Sequence, residues 1–294
     1  MLFDEKTWLA IAALIPAAVL CVYVFKKDRV EKEPLGLLLL LLALGAVSCY
    51  PAAWAERAIG NVAAELFQPF DVSADAGVQL TSKMYEIYLL FDNFVRVALV
   101  EEGIKWAILL VVTRKSRHFN SLFDGLIYAV FVSLGFAALE NVFYVTRYGW
   151  MNALTRAVLS VPGHMFFGVI MGYYYSMWHA YGKAREWEIG LRAEGSIHSV
   201  APLFSGRRFL VLSLLIPVLC HGWYDYCCST DFSWATTALM LFVAFLYVYC
   251  FGKIGSMSRG DMKDIHFVGM LLFKNIPNCA KEWRKKVEMY RVKH

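Results

Sequence analysis

Residues 93–113 read NFVRVALVEEGIKWAILLVVT. From Val95 to Thr113 the stretch has the length and apolar content of a helix that crosses a bilayer core of about 30 Å. Four ionisable residues interrupt it: Arg96 near its start, and Glu101, Glu102 and Lys105 further in. Charged groups inside a span are costly, face the bundle interior and mark functional sites. The stretch therefore poses both the fold and the function of the chain.

The rest of the sequence extends the first of these readings. The chain has 294 residues, is 59% hydrophobic and carries 18% charged residues, where soluble domains carry about 25%. Its mean hydropathy is +0.49. Apolar blocks near 20 residues long recur, which predicts an all-α, polytopic transmembrane helix bundle. Seven spans are predicted: 7–25, 35–54, 95–113, 122–146, 157–179, 209–228 and 233–252. The apolar segment MYEIYLLFDNFV just before 95–113 is either an interfacial helix or an extension of that span. A soluble fold would leave these blocks exposed. No internal repeat or linker divides the chain, so 1–294 is read as one integral membrane domain with a catalytic core at about 90–228.

Charge sets the orientation. Most of the 29 Lys and Arg residues fall in 26–34, 114–121, 180–208 and 253–294; the alternate segments hold only Lys6, Arg57, Lys83, Arg147 and Arg156. Cytoplasmic loops collect positive charge, which predicts an N-terminus outside and a C-terminus inside. The first span, with its basic flank after the apolar run, reads as a retained anchor. The net charge of +5 then reflects topology and not nucleic-acid binding. In the basic tail, 253–294, Trp283, Val287 and Tyr290 form one helical stripe suited either to the inner leaflet or to solvent. Segments 55–83 and 180–208 read as the long external and internal loops. The seven cysteines show no metal-ligand spacing.

The polar residues inside the spans share a depth. At 1.5 Å per residue, Glu101 lies roughly 9 Å below the outer face, as does Glu140 on the antiparallel fourth span. His164 on the fifth span and His221 on the sixth lie at roughly 10 Å. Asn141 adjoins Glu140, Lys105 follows Glu101 at i+4, and Asp225 follows His221 at i+4. Four helices thus bring acids and histidines to one layer in the outer third of the membrane.

That layer has the parts for hydrolysis. A carboxylate crowded by a second one in a poor dielectric can take a proton from water near neutral pH. Histidines can donate to a developing oxyanion or leaving amine. Lys105 can neutralise one of the paired glutamates, and Asp225 can orient His221. Pro162 and Gly163 are expected to loosen the helix before His164. No HExxH or Gly-x-Ser-x-Gly motif is present, which removes the standard zincin and the serine-elbow enzymes. Asp124 and Asp225 belong to opposite ends of their spans and make no aspartyl dyad. Glutamate remains. Two rival readings stay open: a proton-coupled transporter and a non-catalytic binder with the same polar layer.

Four motifs carry a resemblance: EEGIK at 101–105, FAALEN at 136–141, HMFFG at 164–168 and HGWYD at 221–225. In this order, on successive spans, they resemble the PrsW family of glutamic-type intramembrane proteases, distant relatives of the CAAX-processing and bacteriocin-immunity membrane proteases. The resemblance implies that Glu101, Glu102, Glu140, His164 and His221 are catalytic; by their spacing, Lys105, Asn141 and Asp225 read as supporting residues. It implies a bacterial plasma membrane and site-1 cleavage of a single-span substrate such as an anti-sigma factor, near the outer face. The CAAX relatives carry His where this chain has Glu140 and Arg where it has Lys105, which disfavours a prenyl-protein substrate. No cofactor is expected. The alternative is a zinc site built from His164, His221 and Glu140 or Asp225, with Glu101 as base for a metal-bound water. Oligomeric state is not legible.

Overall fold

The computed structural model describes residues 5–29, 31–67, 71–72, 79–80, 82–195, 205–261 and 269. The chain is helical: α1 (Glu5–Lys27), α2 (Leu35–Val47), α3 (Cys49–Phe67), α4 (Ser82–Phe91), a π-helical segment (Asp92–Leu99), α5 (Val100–Thr113), α6 (Leu122–Tyr148), α7 (Trp150–Val158), α8 (Ser160–Ala193), α9 (Arg207–Ser229) and α10 (Ala235–Arg259). Between α3 and α4, Asp71–Val72 pairs antiparallel with Gln79–Leu80.

Among the described residues, six helical stretches are long and apolar enough to cross a membrane: Glu5–Lys27, Leu35–Phe67, Leu122–Tyr148, Trp150–Ala193, Arg207–Ser229 and Ala235–Arg259. They agree with six of the seven predicted spans. The other, 95–113, is not a uniform apolar helix. It joins α4, the π-helical segment and α5 into one helical run, and α5 itself is only 14 residues long. The apolar segment before Val95 is therefore its extension. Helix also replaces much of the two expected long loops, because α3 continues to Phe67 and α8 to Ala193. The tail stripe of Trp283, Val287 and Tyr290 lies outside the described residues.

Helix α6 is the axis of the bundle. Every residue from Phe123 to Ala137 is buried, so this helix meets protein and not lipid on all sides. Small residues let its neighbours close in. A Cβ on Gly135 would lie 2.0 Å from the Leu42 carbonyl oxygen of α2, so only glycine permits that crossing. One apolar cluster, including Val24, Leu38, Leu109, Ile127, Phe166 and Cys250, ties α1, α2, α5, α6, α8 and α10 together. The start of α6 is a capping box: Asp124 Oδ2 accepts from the Ser121 N–H at 2.7 Å, and Ser121 Oγ accepts from the Phe123 N–H at 3.2 Å. This gives Asp124 a capping task.

Two local features place the site. The π-helical segment ends at Leu99, with only Val100 between it and Glu101 and Glu102. π-helical turns are rare and concentrate at functional sites. Here the Asn93 side-chain N–H₂ donates to the Leu89 carbonyl and to Ser229 Oγ, each at 2.8 Å. Second, Gly149 at φ +79° turns the chain from α6 into the short α7. The chain then breaks at Leu159 and α8 begins at Ser160. Pro162 and Gly163 thus lie in the first turn of α8, where proline is tolerated. The expected loosening is replaced by a helix start, and His164 projects from the beginning of a long rigid helix.

Candidate active site

Helices α5, α6, α8 and α9 bring the predicted layer together. Glu101, Glu102, Lys105, His164 and His221 are all buried. The centre is Lys105, whose side chain is fully buried. Its ammonium donates to Glu101 Oε2 at 3.1 Å, to Glu102 Oε1 at 2.8 Å and to His164 Nδ1 at 3.2 Å. It also sits 4.0 Å from the centroid of the Phe136 ring. An ammonium has three N–H donors and no acceptor, so these contacts use all three.

The network assigns the histidine hydrogens. Because Lys105 donates to it, His164 Nδ1 accepts. The ring hydrogen of uncharged His164 is then on Nε2, which lies 2.9 Å from Glu140 Oε2. His221 differs. Its Nδ1 lies 3.0 Å from Glu102 Oε1 and its Nε2 lies 3.2 Å from Asp225 Oδ2. Both nitrogens can donate to these carboxylates only as the imidazolium. The two rings are perpendicular, with centroids 5.3 Å apart, and Phe167 stacks on His221 at 4.9 Å.

These groups border a cavity of about 590 Å³. Glu101, Glu140, His164, His221 and Asp225 line it; Glu102 does not. The adjacent glutamates thus differ in environment. Glu101 opens onto the cavity, while Glu102 is sealed against Lys105 and His221, with its Oε2 buried and without a hydrogen-bond partner.

Asn141 lies apart from the centre. Its Nδ2 donates to the Ala13 carbonyl of α1 at 2.8 Å, so it ties α6 to α1. Its Oδ1 accepts from Arg156 Nε at 2.9 Å. Arg156, on α7, also donates through Nη2 to Glu140 Oε2 at 2.7 Å. Loop charge counting placed Arg156 among outer-loop cations and missed it as part of the site. The signal was a single arginine at the margin of an apolar span, level with an acid on the previous one. Glu56 and Arg96 at the cavity wall were missed likewise.

Among the described residues, one atom each from Glu101, Glu102, His164 and His221 lie within 4.8 Å of one another. Imidazole and carboxylate are zinc donors, and the unpartnered Glu102 Oε2 is a free ligand atom, so the donor set fits a divalent metal. Glu140, reserved for the zinc alternative on sequence grounds, is not in this set; it lies on the other ring nitrogen of His164.

A helical membrane bundle with carboxylates and histidines converging on one cavity is compatible with an intramembrane hydrolase. The model for the PrsW family intramembrane metalloproteases matches residues 33–251, and the chain belongs to that family. It is 31% identical to Protease PrsW of Clostridioides difficile (strain 630) over 82% of this chain and 88% of that one. It is 30% identical to Protease PrsW of Bacillus subtilis (strain 168), over 86% and 97%, and 30% identical to that of Oceanobacillus iheyensis, over 81% and 90%. No solved structure matches. The chain is thus a multi-pass bacterial membrane protease that acts within the lipid bilayer.

Proposed function

We propose that this chain is a glutamate-dependent intramembrane endopeptidase that cuts a single-span, membrane-anchored protein near the outer face. The observation that carries the reading is the unequal pair: Glu101 opens onto the cavity, and Glu102 is held by Lys105 and His221. Glu101 is the base. It takes a proton from a water in the cavity as that water's oxygen attacks the scissile carbonyl carbon. The His164 and His221 rings line the cavity with their N–H groups held by Glu140, Glu102 and Asp225, and the imidazolium of His221 offsets the charge that develops on the carbonyl oxygen. When the C–N bond breaks, the proton held by Glu101 passes to the leaving amine. Glu102 and Lys105 hold the base and the two rings in register, and Asp225 steadies His221 from its far side. The loop charges support cleavage on the outer side, and the motif resemblance supports an anti-sigma-type substrate.

One observation favours a second version of the same reaction. The four donor groups within 4.8 Å would hold a zinc ion, with Glu101, Glu102, His164 and His221 as ligands. A bound zinc would polarise the carbonyl and activate water. In this version too, Glu140 and Asp225 hold the outer ring nitrogens in place.

The test compares membrane proteomes of cells that express wild type or Glu101→Gln at equal levels, scored for new protein termini near outer membrane boundaries. Truncated single-span proteins present only with wild type support the proposal. Identical profiles in a host that contains a cleaved substrate of a PrsW relative would overturn it. Metal analysis of the purified chain, with chelator treatment of the active enzyme, separates the two versions.

A further inference from the structure

Helix α7 has no buried residue, and its apolar side chains Trp150, Met151, Leu154 and Val158 are exposed. This is the pattern of a helix lying in a membrane interface. One of its side chains turns into the bundle. The Arg156 guanidinium spans Glu140 Oε2 at 2.7 Å and Asn141 Oδ1 at 2.9 Å. It also lies 4.2 Å from the centroid of the Tyr144 ring. The same Glu140 oxygen faces His164 Nε2 at 2.9 Å.

We infer that Arg156 is a positioning residue: it anchors Glu140 so that this carboxylate holds the Nε2–H edge of His164 toward the cavity. The inference rests on the hydrolytic reading only for its effect on rate. Three physical points carry it. A glutamate side chain has three rotatable torsions, and Arg156 removes that freedom by gripping Glu140 while braced on Asn141. Asn141 is itself pinned to Ala13 of α1, so the brace is rigid. The planar guanidinium reaches two acceptors at once, which a lysine ammonium on its flexible stem does poorly. His164 Nδ1 is already fixed by Lys105, so Glu140 controls the remaining edge of the ring. A consequence is that the seating of α7 in the interface is coupled to the catalytic histidine.

The experiment reads the ring directly. The full chain, with ¹⁵N-labelled histidine, is studied in lipid nanodiscs, and His164 is assigned from the signal lost in His164→Gln. The wild type is expected to show a His164 Nε2–H signal that exchanges slowly with solvent. Arg156→Gln should exchange it about tenfold faster or more, with Arg156→Lys between the two. The His221 Nδ1–H signal, held by Glu102, should not change. A role limited to tethering α7 would leave the His164 signal as it is. Unchanged His164 exchange in both variants overturns the inference. If Arg156→Gln does not fold, Arg156→Lys carries the same test alone. In cleavage assays, kcat should fall about 10- to 100-fold in Arg156→Gln with KM within about twofold. The ring signals need no substrate, so absence of cleavage in every variant would count against the hydrolytic reading and not against this one.

Discussion

Lys105 Nζ and His164 Nδ1 stand 3.2 Å apart, on helices α5 and α8, and this contact decides which nitrogen of His164 carries the ring hydrogen. The ammonium can only donate. Nδ1 must accept, and the ring hydrogen is left on Nε2, on the side of Glu140. A single buried cation thus joins two glutamates and one histidine in one hydrogen-bond network.

Lys105→Met should therefore be more damaging than the loss of one ion pair at a surface. It would strip the ammonium from the buried Glu101 and Glu102 carboxylates and leave only His221 beside them. Breaking a buried pair by removing one partner costs about 3–5 kcal/mol. Thermal unfolding in detergent should show a large drop in stability together with complete loss of cleavage. Wild-type stability in this variant would mean that the ammonium is not the centre of the network.

The two adjacent glutamates should separate in their mutational signatures. Glu101→Gln replaces a group that borders the cavity, so cleavage should fall by about 10²–10⁴-fold with a smaller loss of stability than in Glu102→Gln, because Glu102 still pairs with Lys105. Glu102→Gln alters a fully buried carboxylate shared by Lys105 and His221, so stability should fall as well. Parallel kcat and unfolding measurements on both variants check this. Equal activity losses with equal stability losses would refute the division of labour.

Gly135→Ala tests the packing around α6. The added Cβ would meet the Leu42 carbonyl oxygen at 2.0 Å, and backbone cannot swing aside as a flexible side chain can. Overpacking of this kind costs about 1–3 kcal/mol or more. The expected outcome is a lower unfolding temperature, with α2 displaced from α6. Cysteine cross-linking between the two helices would report that displacement.

Stability should also depend on pH through Glu33, which lies in the α1–α2 connection and is 4% exposed. Burial pushes its carboxyl up to about 8; a hydrogen bond from the Tyr128 hydroxyl opposes this, and the Asp124 and Asp28 carboxylates add to it. That bond is 2.5 Å long. An unfolded glutamate titrates near about 4.3. Between these values the folded chain holds a proton that the unfolded chain has released. Stability contributed by Glu33 is therefore present at low pH and lost as pH rises to about 8, by at most about 1.4 kcal/mol per pH unit. Glu33→Gln should flatten this slope, as read from unfolding midpoints across the range. A slope unchanged by the substitution would assign it to other groups.

Much of this molecule is legible without its tertiary structure. Span length and hydropathy follow from the thickness of a bilayer, so six of the helices could be read from the chain alone. The shared depth of Glu101, Glu140, His164 and His221 follows from the rise of a helix, which is a local property. The sequence by itself thus determined a helical membrane bundle and a polar layer with the parts of a hydrolase. What it could not carry is anything that depends on how helices turn toward one another. The π-helical segment at Asp92–Leu99 changes the register just before Glu101, and no periodicity in the chain announces it. Asn141 faces α1 and not the cavity, although it adjoins Glu140, because neighbours on a helix point about 100° apart. Arg156 reaches Glu140 only because Gly149 reverses the chain into α7. The partners of each ring nitrogen, and the different fates of Glu101 and Glu102, are interhelical distances, and only the packed bundle decided them.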